Sequence, residues 1–322
     1  MTLPRYLFVL AILIECSFAS MASALNIDWV SVGGAGNACD AQTQGCFGAV
    51  AQNYLIAETE VTNAQYAEFL NAVAKTDTNA LYHTGMGSAA FPFFGGITRS
   101  GDSGSYAYSS IAGRGNMPVN LVSFYDSLRF ANWLQNGQPT GTQGGATTED
   151  GAYTITLAGI SANSITRNAG ASVFLTSEDE WYKAAYYDAI STSYFDFPAG
   201  ADTQTVCSAP GATANTANCN LSAGDLTDVG SYTGSASPND TFDQGGNVAE
   251  WTEAILSGSN RGARGGSFVS PGVAASARGG LDPTGGFGNV GFRIASAVPE
   301  PSTALLLGVG LVGLCAKRKT FH

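Results

Sequence analysis

The chain has 322 residues, of which 44% are hydrophobic and only 12% charged, with 41 glycines and a net charge of −11. Soluble domains usually carry about a quarter charged residues, and this chain is too apolar and too sparsely charged to be a disordered polyelectrolyte. The glycines, set among many Ser, Thr, Asn and Ala, predict a loop-rich domain of extracellular type with few long helices.

Arg5 precedes an apolar run from Tyr6 to Ile14, and Ala22-Ser23-Ala24 supplies the small residues a signal peptidase prefers. Residues 1–24 therefore read as a signal peptide, and the protein as exported through the inner membrane. Setting aside 1–24 and 299–322 removes four basic and two acidic residues, which takes the net charge from −11 to about −13. Nucleic acid is excluded as a partner, since phosphate binding needs a basic surface. Four cysteines remain, in two close pairs, Cys39 with Cys46 and Cys207 with Cys219. In an oxidising compartment this even set predicts two local disulfides, each worth about 2–3 kcal/mol by loop closure. Zinc is the competing reading, but no histidine lies near either pair.

The stretch NYLIAETEVTNAQYAEFLNAVA changes from strand-like to helical period. Thr62 with Gln65 forms a capping box, and Tyr66, Phe69, Leu70 and Val73 line one apolar face. A second helix is signalled by Ser123 with Asp126 at its start, by Phe130, Trp133 and Leu134 on one side, and by Gly137 as a stop. A third begins at Ser177 with Glu180 as capping partner and turns Trp181, Ala184 and Ala185 inward. Its acidic first turn, Glu178 to Glu180, suits the helix dipole and needs no catalytic explanation. Between the helices lie long polar insertions, 79–116, 135–168 and 191–239, of a length that in a compact domain carries function or needs pinning.

The segment FDQGGNVAEW, 242–251, places two carboxylates, a glycine turn and a core-type tryptophan together. Asp243 and Glu250 can lend oxygens to a hard cation while Gly245 and Gly246 let the backbone curl. A Gly-Gly-Asn turn entering a strand gives the same pattern without a metal. Two short strand-like pieces follow, NRGARGGSFVSP and GFGNVGFRIA. No composition shift marks a linker between 25 and 298, so this span is expected to be one α+β domain.

The carboxyl-terminal segment has Pro299-Glu300-Pro301, an apolar run from Ala304 to Ala316, then Lys317, Arg318 and Lys319. Thirteen apolar residues are short for a stable span, and the basic cluster holds that end on the cytoplasmic side. This tripartite tail resembles the PEP-CTERM sorting signal of Gram-negative bacteria. The resemblance implies recognition at Pro-Glu-Pro by an exosortase and transient passage of a short transmembrane helix through the inner membrane. The processed protein would then reside at the cell surface, in the outer envelope or in the extracellular matrix.

In order along the chain, ETEVTNAQYAEFLNA, MPVNLVSFYDSLRFANWL, FLTSEDEWYKAA, FDQGGNVAEWTEA, RGARGGSFVS and GFRIA resemble the formylglycine-generating enzyme family, also called the sulfatase-modifying-factor domain. The resemblance covers nearly the whole of 25–298 and implies a single loop-rich α+β domain related to C-type lectins. It also implies structural calcium. Carried over by position, Asp243 and Glu250 would give side-chain oxygens, and Gly246 and Val248 carbonyls, to one ion. A second set would use Asn218, the carbonyl of Cys219 and Asp225, with other oxygens completing each shell. Trp251 reads as core, and Arg264 and Arg293, in the RGG and GFR motifs, as buried guanidinium groups satisfying loop carbonyls.

The family's oxidising members use two cysteines that bind copper after the GGS motif. Here those positions fall on Ser270 and near Ala275, and no cysteine occurs between Ser267 and Arg293. A serine hydroxyl is a poor ligand for Cu(I), so copper is not expected. Iron-binding relatives need three histidines, whereas this chain has only His83, read as a loop residue, and His322. Ser270 has no histidine to activate it as a nucleophile. These residues favour a noncatalytic, surface-directed module that binds exopolysaccharide or an envelope protein; the alternative is an enzyme that modifies an exported protein by non-standard chemistry.

Overall fold

The computed structural model describes residues 25–256 and 258–298. Residues 1–24, expected to be a signal peptide, and the tail with Pro299, Glu300 and Pro301 lie outside the described residues. Four helices stand in a framework of short strands: α1 (Asn63–Val73), α2 (Phe124–Gln135), α3 (Leu157–Ser161) and α4 (Glu178–Tyr186). Eight strands form the two larger sheets: β1 (Trp29–Val32), β2 (Tyr54–Ala57), β3 (Val173–Leu175), β4 (Ala249–Ile255), β5 (Arg261–Arg264), β6 (Arg278–Leu281), β7 (Val290–Gly291) and β8 (Ile294–Ala297).

The first sheet runs β1-β2-β8-β3, with Ile56 paired to Val30 on one side and to Ala295 on the other. It thus joins both ends of the domain. The second runs β6-β5-β4-β7 and is antiparallel except for β4 against β7, where Glu250 faces Gly291. Two-stranded ribbons occupy the insertions, including Ile97–Ser100 with Ala107–Ser110 and the parallel pair Val206–Cys207 with Thr216–Ala217. The long loops predicted from composition are therefore folded back on themselves.

The expected capping boxes are present at all three sites: Thr62 with Gln65, Ser123 with Asp126, and Ser177 with Glu180. Each satisfies two N–H groups that the first helical turn leaves without partners. Gly137 takes a φ of 78° just past α2, a conformation that stops the helix at no steric cost. The apolar faces of α1 and α2 meet through Phe69, Phe130 and Trp133, with Phe292, preceding β8, edge-on to Phe130 at 5.4 Å. Trp181, Ala184 and Ala185 of α4 are all buried, as expected, whereas Leu134 is half-buried at the core edge. Both cysteine pairs are joined, Cys39–Cys46 and Cys207–Cys219, with Cα atoms 5.4 and 4.9 Å apart. Among the described residues no helix is long and apolar enough to cross a membrane.

Candidate functional site: the cleft at Ser270 and the acidic interior behind it

Strand β5 leads into Gly265-Gly266, both with positive φ, and the chain turns there so that Ser267 and Ser270 face each other. A side chain at Gly266 would lie 2.3 Å from the Gly272 carbonyl, so the turn requires glycine. The Ser270 N–H donates to Ser267 O at 2.8 Å, the two hydroxyls are 3.1 Å apart, and Asn289 Nδ2 donates to Ser267 Oγ at 3.2 Å. Ser270 lines a cleft of about 280 Å³ that also takes in Arg278, Leu281, Phe287 and Asn289. Ala275 lies deeper, buried against Phe47 and Trp181, its N–H on the Asp196 carbonyl and its carbonyl on Arg264. The two positions named for the redox pair thus differ in surroundings, one on the cleft wall and one in the core.

The charged wall of this region is built on α4. Glu178 accepts from Arg264 Nε at 2.8 Å and from Arg278 Nε at 2.6 Å, so one carboxylate holds β5 and β6 to the helix. Arg264 also donates to the carbonyls of Ala275 and Ala277. The sequence reading foresaw the carbonyls but not the carboxylate, because capping already accounted for the acidic turn. Glu180 caps α4 and also pairs with Arg167, which in turn grips Glu253. His83 accepts from the Gly85 N–H and caps a single 3-10 turn.

Behind the cleft, Arg293 is fully buried and forked to Glu250, with Nε to Oε2 at 2.7 Å and Nη2 to Oε1 at 2.8 Å. Trp181 Nε1 donates to the same Oε2 at 2.8 Å. The remaining Arg293 donors reach the carbonyls of Ala57, Glu58 and Phe242, which ties β2 to the loop entering β4. Asp243, at a φ of 61°, accepts the Gly230 N–H through Oδ2 at 2.6 Å. Glu60 is 1% exposed, and neither of its oxygens has a partner among the described residues. Burial first, and then the neighbouring Asp243 carboxylate, hold Glu60 well above the usual carboxyl range, while Arg293 pulls the other way. Burial also raises Asp243, against the Gly230 N–H and Arg293. No local pattern marks Glu60, because the strand ends at Ala57 and the chain bends at Glu58 and Thr59 before reaching it.

A polar cavity of about 20 Å³ abuts Asp243, Gln244 and Gly245, room for one ion or water. Three carboxyl groups, Glu60, Asp243 and Glu250, share one buried guanidinium, and burial makes Glu60 and Asp243 hold their protons; a cation bound there would take the place of those protons. Of the expected first set only Asp243 lines that cavity, Gly246 and Val248 lie outside its lining, and both Glu250 oxygens are already engaged by Arg293 and Trp181. The upstream set fits less well. The Asp225 carboxylate is drawn away into a fork with Arg114, and Cys219 O accepts the Ser222 N–H. Asn218 Oδ1 is buried without a partner among the described residues, while its Nδ2 faces Asp225 O and Asn247 Oδ1. Among the described residues no three His, Cys, Asp or Glu side chains gather at metal-binding range.

Trp251 is fully buried, with its indole N–H on the Val122 carbonyl, and serves the core. In comparisons with known proteins, the fold is similar to that of CarF, with a TM-score of 0.55 and 20% identity over 85% of this chain and 100% of that one. It is also similar to Treponema denticola variable protein 1, with a TM-score of 0.52 and 20% identity over 84% and 95% of the two chains. At such identities the likeness speaks for the fold alone. No curated protein matches the chain. Residues 297–319 match the PEP-CTERM protein-sorting motif, which marks an exported protein handled by exosortase-dependent sorting. Residues 35–298 match the sulfatase-modifying factor enzyme 1-like domain, and the chain belongs to that family.

Proposed function

We propose that the domain is a noncatalytic binding module of the cell envelope or extracellular matrix, stabilised by calcium. The observation that carries this reading is the chemistry of the Ser270 cleft. Where the family's oxidising members keep thiolates, it offers the Ser267 and Ser270 hydroxyls and the Asn289 amide. Hydroxyls are weak ligands for Cu(I), and a serine needs an adjacent base to become a nucleophile. All four cysteines of the described residues are in disulfides, and His83 is spent on a turn. The cleft keeps a volume of about 280 Å³, near the lower end of the range of clefts that enclose small ligands. Its partners in this reading are an exopolysaccharide or an envelope protein, met after sorting delivers the chain to the surface.

Calcium belongs to the same reading, held by the Asp243 carboxylate and the carbonyls of Gly246 and Val248, with Glu60 close enough to add charge. Its role would be to take the place of the buried carboxyl protons and to fix the turn at Gly245-Gly246.

The purified full chain, applied with and without calcium to exopolysaccharide and envelope proteins of the producing cell, is expected to be retained. Retention of nothing in either condition would remove the binding reading. The persistence of the cleft favours a second reading, an enzyme acting on an exported protein. Aldehyde formed on a cysteine-containing sulfatase peptide with copper supplied, above the level without protein, would replace the first reading by the second.

A further inference from the structure

We propose that a second cleft, at the carboxyl-terminal end of α1, is a saccharide-binding site that takes a neutral hexose oligosaccharide; this rests on the reading of the domain as an envelope or matrix module. The cleft has a volume of about 510 Å³ and lies between the end of α1, the loop 75–78 and the loop 140–143. That is the size of cleft, roughly 300–1,000 Å³, that encloses most of a small organic ligand, and it is larger than the cleft at Ser270.

Its walls are tied before any ligand arrives. Asp77 adopts a φ of 54° and turns its carboxylate inward, accepting from Leu81 N at 2.8 Å, Tyr82 N at 3.2 Å and Gln143 Nε2 at 3.3 Å. Gln143 Oε1 accepts the Asn79 N–H at 2.7 Å, so one glutamine links both loops. Gly141 N donates to Ala72 O at 3.0 Å and Gly104 N to Lys75 O at 2.8 Å, which fixes the rim to the helix end. A preformed site loses less entropy on binding than one that must order itself.

What these ties leave free defines the ligand. Thr76, Thr78, Thr140, Thr142 and Lys75 are exposed on this lining, and their hydroxyls and ammonium face water rather than the described residues. Each threonine carries a hydroxyl and a methyl on one carbon, and the half-buried Ala72 adds apolar surface at the helix end. A pyranose ring presents the same mixture, hydroxyls around a rim and C–H groups on its faces, so lining and ligand match in polarity at the spacing of single bonds. An extended peptide is a poorer occupant, because the Gly104 and Gly141 N–H groups are already spent and offer no ladder. A polyanion finds no net attraction, because the lining sets one cation, Lys75, beside one anion, Asp77, and the domain's net charge is about −13.

The test titrates the purified full chain with neutral gluco-, galacto- and manno-oligosaccharides of two to six units, beside a polyuronate and an unstructured peptide. Binding of at least one neutral oligosaccharide is expected, with affinity at least tenfold weaker in Thr76→Val/Thr142→Val. Those exchanges remove two hydroxyls while keeping shape, and an unchanged thermal midpoint shows that the fold is intact. A Ser270→Ala chain should bind the oligosaccharide as the parent does. Equal binding by the parent and the threonine variant would overturn the assignment, as would a preference for the polyuronate or the peptide. A chain retained on envelope material that binds no oligosaccharide of the panel would overturn the saccharide site and leave the wider reading standing; a chain retained on nothing would overturn both.

Discussion

Arg293 shows why a buried charge is best read through its partners. Its five donors are consumed by Glu250 and by three backbone carbonyls from two separate segments. Arg293→Met strands the Glu250 carboxylate in the interior, and a loss of about 3–5 kcal/mol is expected in urea denaturation. Replacing both partners, as Arg293→Met/Glu250→Leu, should cost less than the sum of the single changes, because no lone charge is left behind. At the start of α2, burial pushes Asp126 up to about 6, outweighing its Ser123 hydrogen bonds and Arg129. A carboxyl that holds its proton more tightly when folded stabilises the fold most below about pH 4, its usual titration range. That contribution falls as pH rises through about 6 and is gone above it. Thermal midpoints across pH 4 to 7 should therefore decline with pH in the parent and decline less in Asp126→Asn; parallel curves would refute this assignment.

Among the elements, the helices were legible in the sequence and the sheets were not. Capping boxes and apolar stripes act within four residues, so Thr62, Ser123 and Ser177 announced α1, α2 and α4 by local chemistry alone. The strands are two to seven residues long, too short for period-two alternation to identify their partners, and β2 pairs with β8 more than 230 residues away. The disulfides were legible for the same reason as the helices, since each closes a short loop. Cys207–Cys219 pins the parallel ribbon beside the Asp243 cavity, and its removal by Cys207→Ser/Cys219→Ser should cost about 3 kcal/mol. Cys39→Ser/Cys46→Ser, which opens a shorter loop in a more exposed ribbon, should cost about 2 kcal/mol, with urea midpoints under oxidising conditions as the measure.

For the molecule as a whole, the expectation that follows from the proposed calcium is global. An ion bound only by the folded state adds stability by mass action, so excess chelator should lower the thermal midpoint by several degrees, and re-added calcium should restore it. Glu60→Gln removes a buried carboxyl whose proton the ion would displace, so the drop on chelation should be smaller than in the parent; no change in either chain would remove the ion from the account. The sequence by itself determined the family segments, the sorting motif, the helix starts and the cysteine pairing. Each is a matter of residue identity or of contacts a few bonds apart. Only the tertiary structure decided that Glu250 and Glu178 answer buried arginines, that Glu60 stands unpaired beside Asp243, and that the end of α1 and a loop near residue 140 enclose a hydroxyl-lined cleft. Those features arise between segments tens to hundreds of residues apart, where no local pattern records which side chains packing will bring together.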